Sequence, residues 1–174
     1  CGYVIGDGNV HPKGYRITCY INDGEKDLIG KLKALWMQTF SVAPRIVMAD
    51  NRRERFIETG SGVLRQIIST QPIYLLEINS RQVAMNLAFL NEKTVPQAIF
   101  ESPKRVVAAF ISWLFEADGS AFGNGRGRTS VQLKSRSQKL LQGVQLLLLY
   151  FGIQSRIIQD NLCIRRTHDI KLFA

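Results

Sequence analysis

Apolar residues recur at helical spacing in two stretches of this chain, "EKDLIGKLKALWMQTF" (25–40) and "SQKLLQGVQLLLLYFG" (137–152), which predicts an amphipathic helix in each. Similar surroundings flank both. A hairpin precedes each helix: one turns near "HPKG" (11–14) into "YRITCYI" (15–21), the other near "GNGRGR" (123–128) into "TSVQLK" (129–134). Two strands follow each helix, at about 45–57 and 73–78 and at about 154–159 and 162–166. Ahead of each hairpin stands an apolar run that stops on an acid and a glycine, "CGYVIGDG" (1–8) and "FISWLFEADG" (110–119). A helix over "SRQVAMNLAFL" (80–90) closes the first set. "NRRERFIETGSGVLRQIISTQ" (51–71), polar and basic, is expected as a long mobile loop.

These features form an internal repeat. Sliding the sequence by 118 − 7 = 111 positions sets Asp7-Gly8 on Asp118-Gly119 and "FSVAPRIV" (40–47) on "FGIQSRII" (151–158). Two copies of one supersecondary unit related by a pseudo-twofold explain the coincidence. The order helix–strand–strand–helix–strand–strand–helix, used twice, predicts an α+β protein of two pseudo-symmetric αββαββα repeats with antiparallel sheets. The first repeat is assigned to 1–92, a linker punctuated by Pro96 and Pro103 to 93–105, and a C-terminally incomplete second repeat to 106–174. The chain is expected to be an ordered part of something longer.

Charge adds a partner to this picture. Lys and Arg total 23 against 14 acids, a net +9, which favours a polyanion, nucleic acid before membrane. Arg16, Arg45, Arg128, Lys134, Arg156, Arg165 and Arg166 fall along the expected strands, where they would give a sheet face positive charge able to enter a DNA groove. No apolar run reaches the length of a membrane span. Three cysteines without C-x-x-C spacing argue against a zinc site or disulfide framework and for a reducing, intracellular setting.

The candidate chemistry lies in the paired acids. Gly2 and Gly6 allow close helix approach. If the two apolar helices pack about the pseudo-twofold, Asp7 and Asp118 emerge together at their C-terminal ends. Two close carboxylates and two helix C-termini repel one another unless cations sit there. Hard divalent ions suit such a site, above all Mg2+, with carbonyls near Gly6 and Ala117 completing the coordination. Two such ions flanking a phosphate can activate a water and stabilise the leaving oxygen.

"CGYVIGDG" and "ISWLFEADG" resemble the two motifs of the LAGLIDADG homing endonucleases, and the resemblance covers nearly the whole chain. "KTVPQAIFESPKRVVAAFISWLFEADGS" and "VQLLLLYFGI" are similar to segments of the endonuclease domains housed in inteins. The resemblance implies saddle-shaped sheets over a long, asymmetric double-stranded DNA site, bound by a monomer. It implies Mg2+ or Mn2+ at Asp7 and Asp118, with Ca2+ as a non-catalytic substitute, and cleavage of both strands across the minor groove. By the same resemblance Lys93 matches the family's active-site lysine, and Lys134 and Arg136 are candidates for its basic solvent network. Trp113 departs from the pattern, standing where the family often has glycine at the helix crossing. Cys1 fills a helix-packing slot, and no splicing block follows it.

The rival reading is a non-cleaving nucleic-acid-binding descendant, an RNA maturase or transcriptional regulator. A further one is a structural repeat protein with no nucleic-acid role.

Overall fold

A computed structural model describes residues 1–49, 54–58, 64–68, 71–123 and 129–174. The chain divides into two compact units, one formed by Cys1–Asn9 with Ala88–Ala174, the other by Val10–Leu87. In chain order the first repeat comprises α1 (Gly2–Asp7), β1 (Gly8–Val10), β2 (Ile17–Asn22), α2 (Asp27–Phe40) and β3 (Arg45–Ala49). It continues through β4 (Glu54–Glu58), β5 (Leu64–Ile68), β6 (Ile73–Ile78) and α3 (Arg81–Asn86). After a 3-10 turn (Ala88–Glu92) and the short α4 (Gln97–Phe100), the second repeat runs α5 (Lys104–Asp118), β7 (Gly119–Gly123), β8 (Thr129–Lys134), α6 (Gln138–Tyr150), β9 (Arg156–Ile158), β10 (Asn161–Ile164) and α7 (Thr167–Phe173).

The predicted element order therefore stands, and the fold is α+β. The strand order is the same in both four-stranded antiparallel sheets: β1-β2-β6-β3 and β7-β8-β10-β9. The difference lies in 51–71. β4 and β5 pair antiparallel from Glu54↔Ile68 to Glu58↔Leu64, so a two-stranded hairpin stands where a long loop was expected. Its signal was present: "ERFIE" and "VLRQII" are β-rich runs flanking "TGSG".

In the Val10–Leu87 unit, Ile17, Cys19 and Ile21 on β2 and Leu76 and Ile78 on β6 are fully buried. The alternate residues, among them Thr18 and Tyr20, point to the other face, as strand geometry requires. Leu28, Leu32 and Trp36, spaced four apart, are the buried stripe of α2. The chain enters β2 through a turn in which the Gly14 N–H meets the His11 carbonyl at 2.7 Å. Gly14 sits at φ 63°, which glycine adopts without a side-chain clash.

In the other unit, Leu133, Leu162 and Ile164 turn to the core, joined by Leu140, Leu141, Val144, Leu147 and Leu148 of α6. Ser137 caps α6, its side chain accepting from the Leu140 N–H at 3.2 Å. α1 packs on α5 here at very short range. A Cβ placed on Gly2 would lie 2.4 Å from the Phe110 carbonyl oxygen, and one on Gly6 would lie 2.5 Å from Ala117 Cβ. Only glycine at these two positions permits that approach. The Trp113 ring does not wedge the helices apart. It meets the Tyr3 ring edge-on, with centroids 6.2 Å apart.

Candidate functional site

The close approach of α1 and α5 decides where their C-terminal residues fall. Asp7 and Asp118 are each the last residue of their helix. Gly6 and Ala117, one residue earlier, are at the contact itself. The Asp118 carboxylate lies next to Gly6, with Oδ2 3.3 Å from the position a Gly6 Cβ would take. Both aspartates are partly buried. Although 111 residues apart in sequence, they belong to one compact unit.

Lys93 completes the group, and it comes from the same unit. The 3-10 turn over Ala88–Glu92 is anchored by buried Leu90 and delivers Lys93 in the left-handed region at φ 51°. A non-glycine residue held there stores strain of about 1–2 kcal/mol, and such strain clusters at functional sites. The Lys93 Nζ donates to the carbonyl oxygens of Ile5, Gly6 (3.0 Å) and Gly8 (3.3 Å). The Ile5 and Gly6 carbonyls lie in the last turn of α1 and the Gly8 carbonyl opens β1, so the ammonium satisfies acceptors that the helix end leaves open.

Electrostatics are mutually adjusted. Burial pushes the Lys93 ammonium below its usual range, and the Asp118 and Asp7 carboxylates partly restore it. Burial pushes the Asp118 carboxyl above the usual carboxylate range, and Lys93 offsets part of this. Each group is thus penalised by desolvation and rescued by an opposite charge. Among the described residues, Lys93 is an ammonium on which both carboxylates act. Among the described residues no cluster of three or more His, Cys, Asp or Glu side chains is present. A cation here would take two carboxylates plus backbone oxygens, an all-oxygen donor set.

The basic residues are more scattered than their strand assignment implied. Arg45, Lys134 and Arg156 are exposed strand residues. Cross-strand register sets Arg156 opposite Cys163, which stands opposite Gln132, which stands opposite Ser120. Lys134 follows two positions after Gln132 and shares that face, away from the Leu133 and Leu162 core side. Arg16 immediately precedes β2, and its Nη1 binds Glu77 Oε1 at 2.9 Å. Arg136 lies in the turn between β8 and α6, and Arg165 and Arg166 lie past the end of β10. Arg165 and Arg166, expected on a strand over 162–166, are not strand residues, because β10 ends at Ile164; Arg136 follows β8, which ends at Lys134 as expected. Arg165 and Arg166 instead border a concavity of about 660 Å3 with Phe122, Thr129, Ser130 and Thr167. Arg128 lies outside the described residues. Two residues escaped the sequence reading: Glu77, whose only signal was a single acid inside "IYLLEI", and Phe122, 56% exposed on β7.

Comparison with known proteins fits this geometry. Residues 105–171 match the family described as LAGLIDADG-like domain. The chain is 27% identical over 172 residues to ribonucleoside-diphosphate reductase NrdEB subunit alpha of Bacillus subtilis (strain 168), covering 92% of this chain and 15% of that protein. It is 25% identical over 158 residues to probable translation initiation factor IF-2 of Methanocaldococcus jannaschii, covering 91% of this chain and 12% of that protein. The chain thus spans under a sixth of the length of these relatives. Among solved structures it superposes on full-length DUF199/WhiA from Thermatoga maritima with a TM-score of 0.64 at 16% identity, over 99% of this chain and 51% of that one. I-DmoI in complex with DNA and Mn superposes with a TM-score of 0.59 at 18% identity, over 98% of this chain and 89% of that one. At such identities the likeness to solved structures establishes the fold.

Proposed function

We propose that this chain, which carries a LAGLIDADG-like domain over residues 105–171 and has the LAGLIDADG fold, is a site-specific endonuclease of double-stranded DNA. One observation carries the reading. Two aspartates 111 residues apart are gathered at the touching ends of α1 and α5, with a lysine seated on the carbonyls beside them. A protein that only bound DNA would gain nothing from burying carboxylates whose charge opposes the phosphate backbone.

The donor set fits divalent metal. Asp7, Asp118 and the Ala117 carbonyl are hard oxygen ligands, whereas the Gly6 carbonyl, expected to join them, accepts from the Lys93 Nζ at 3.0 Å; Asp118 is destabilised as an anion by its burial, which a cation would relieve. Mg2+ or Mn2+ held there would supply Lewis acidity and a water of lowered pKa. The chain's own residues do the rest. α1 and α5, locked at their glycine contacts, fix the separation of the two carboxylates. Lys93, tethered at the Gly6 carbonyl, brings a positive charge to where negative charge builds up on the phosphoryl oxygens. Lys134 and Arg156 supply phosphate contacts that hold the duplex in register, with Arg136, Arg165 and Arg166 as further cations of the same unit, and Arg16 and Arg45 offer contacts from the Val10–Leu87 unit.

The two halves differ in detail, with the β4–β5 hairpin between β3 and β6 where β9 leads directly to β10, so the duplex site is asymmetric and one monomer reads it. The relatives support a mobile origin. A reductase subunit and a translation factor have different functions, yet each contains a segment similar to nearly all of this chain. Such a distribution suits an element inserted into host proteins, as inteins are, acting inside the cell.

The test is cleavage of a plasmid library in Mg2+, with Ca2+ as the binding-only control. Cutting in Mg2+ that disappears in Asp118→Asn supports the assignment. Retained duplex binding with no cutting of any target supports a non-cleaving DNA-binding role instead.

A further inference from the structure

One acid stands on a sheet face that the proposed function gives to a polyanion. Of the residues in β1, β2, β3 and β6, only Glu77 is acidic. It pairs across the sheet with Thr18 on one side and Arg45 on the other. Directly opposed residues of antiparallel strands project to the same face. That face is opposite the fully buried Cys19 and Leu76. Glu77 therefore lies near the end of β6 on the non-core face of the sheet, between buried Thr18 and exposed Arg45. A free carboxylate there would repel phosphate and weaken binding.

Glu77 is not free. Arg16, two residues before Thr18 and on the same face, reaches it with Nη1 to Oε1 at 2.9 Å. The side chain of Glu77 is 11% exposed and that of Arg16 is 37% exposed. The acid is thus held beneath the arginine and is too covered to meet a base edge itself. Arg16 Nε is buried, so the donors left to face a ligand are the remaining N–H groups of the two Nη nitrogens. These are the groups that pair with O6 and N7 of guanine in the major groove. A long side chain free to rotate loses entropy when it binds and contacts any base or phosphate in reach. One clamped by a carboxylate is preorganised and selects.

We infer that Glu77 is a positioning residue that holds Arg16 as the reader of one guanine in the target duplex. The inference rests on the DNA-binding reading above and adds to it a named specificity determinant. Glu77 lowers affinity for duplex in general and raises discrimination at one base pair.

The experiment selects preferred sites from a randomised duplex library in Ca2+, without cleavage, for the parent, Glu77→Gln, Arg16→Ala and the double variant. The parent should show a guanine preference at one position. Both single variants should flatten that position, a loss of roughly 5- to 150-fold in discrimination, the span of one bidentate contact. Other positions should keep their preferences, and the double variant should lose nothing further at this one. Glu77→Gln should bind random duplex as tightly as the parent or more tightly, whereas Arg16→Ala should bind it more weakly. The inference is overturned if Glu77→Gln keeps the preference, or weakens every position equally as a scaffold residue would. It is also overturned if Glu77→Gln flattens a different position from Arg16→Ala, since Glu77 would then read its own base. Should Glu77→Gln lose the fold, an unchanged profile in Arg16→Ala overturns the inference by itself. If the parent fails to retain duplex at low salt, the wider DNA reading has fallen, an outcome distinct from all of these.

Discussion

Gly6→Ala asks whether the helix contact sets the position of the two acids. In an isolated helix alanine is better than glycine by about 1 kcal/mol, so propensity alone favours the variant. Packing opposes it. The new methyl would stand 2.5 Å from Ala117 Cβ, where ordinary contact begins at 3.4 Å, a shortfall of 3.4 − 2.5 = 0.9 Å. Neither atom is the end of a flexible side chain, so α1 and α5 must separate. Overpacking of this kind costs about 1–3 kcal/mol. Against the propensity gain, the net loss is roughly 0–2 kcal/mol, or a melting temperature lower by up to about 8 °C in a chain of this size. The functional loss should be much larger. The methyl would also press within 3.3 Å of Asp118 Oδ2, and misplacing a catalytic group by about 1 Å costs roughly a hundredfold in rate. Single-turnover cleavage and thermal unfolding should therefore separate, with duplex affinity unchanged within a few-fold. The double variant Gly6→Ala/Ala117→Gly, which moves the methyl across the interface, should recover most of the rate. Gly30→Ala is the control: its Cβ would meet nothing within 4 Å on the exposed side of α2, so it should stabilise by about 0.5–1 kcal/mol and leave cleavage alone. If Gly6→Ala cuts like the parent, or the double variant recovers nothing, the close contact does not position the site.

Other outcomes follow from the same geometry. Asp118→Asn should abolish cleavage and keep duplex binding; Asp7→Asn should do the same, and cutting by either would remove that residue from the site. Asp118→Asn should also melt higher than the parent at neutral pH in the absence of metal. The folded pKa of Asp118 is raised above its unfolded value, so its buried charge costs stability above that pKa. The advantage should shrink as pH falls through the raised pKa and vanish below the usual carboxylate range; a difference that does not vary with pH would exclude the burial account. Lys93→Met should lower cleavage about 100- to 1,000-fold, as expected for loss of one charge-stabilising donor. A reduction within twofold would leave Lys93 only its structural contacts to α1. Lys134→Ala and Arg156→Ala should each reduce the slope of log affinity against log salt by about 1, which filter binding across a salt series would measure; unchanged slopes would take their face off the DNA.

Much of this protein follows from sequence because it depends on short-range chemistry. The helices at 27–40 and 138–150 were legible from apolar spacing, which a helix needs to bury one stripe whatever it packs against. The two acid–glycine stops and the offset of 111 announced a repeat, and a repeat implies that equivalent ends are equivalent in space. Lys93 was reached only by resemblance. Nothing in "NEKTV" distinguishes a lysine in a solvated linker from one laid on carbonyls 85–88 residues away. That contact depends on Leu90 burying itself and on φ 51° at Lys93, both consequences of tertiary packing. The same holds for Glu77. Its strand was predicted, but a lone acid in an apolar run reads as an exposed residue until the register sets Arg16 and Arg45 around it. Local pattern decides what each segment becomes, because helix and strand periods are written in consecutive residues. Which side chains meet, how far water is excluded from them, and which charges must answer one another are decided by approach distances between segments, and only the folded chain contains those.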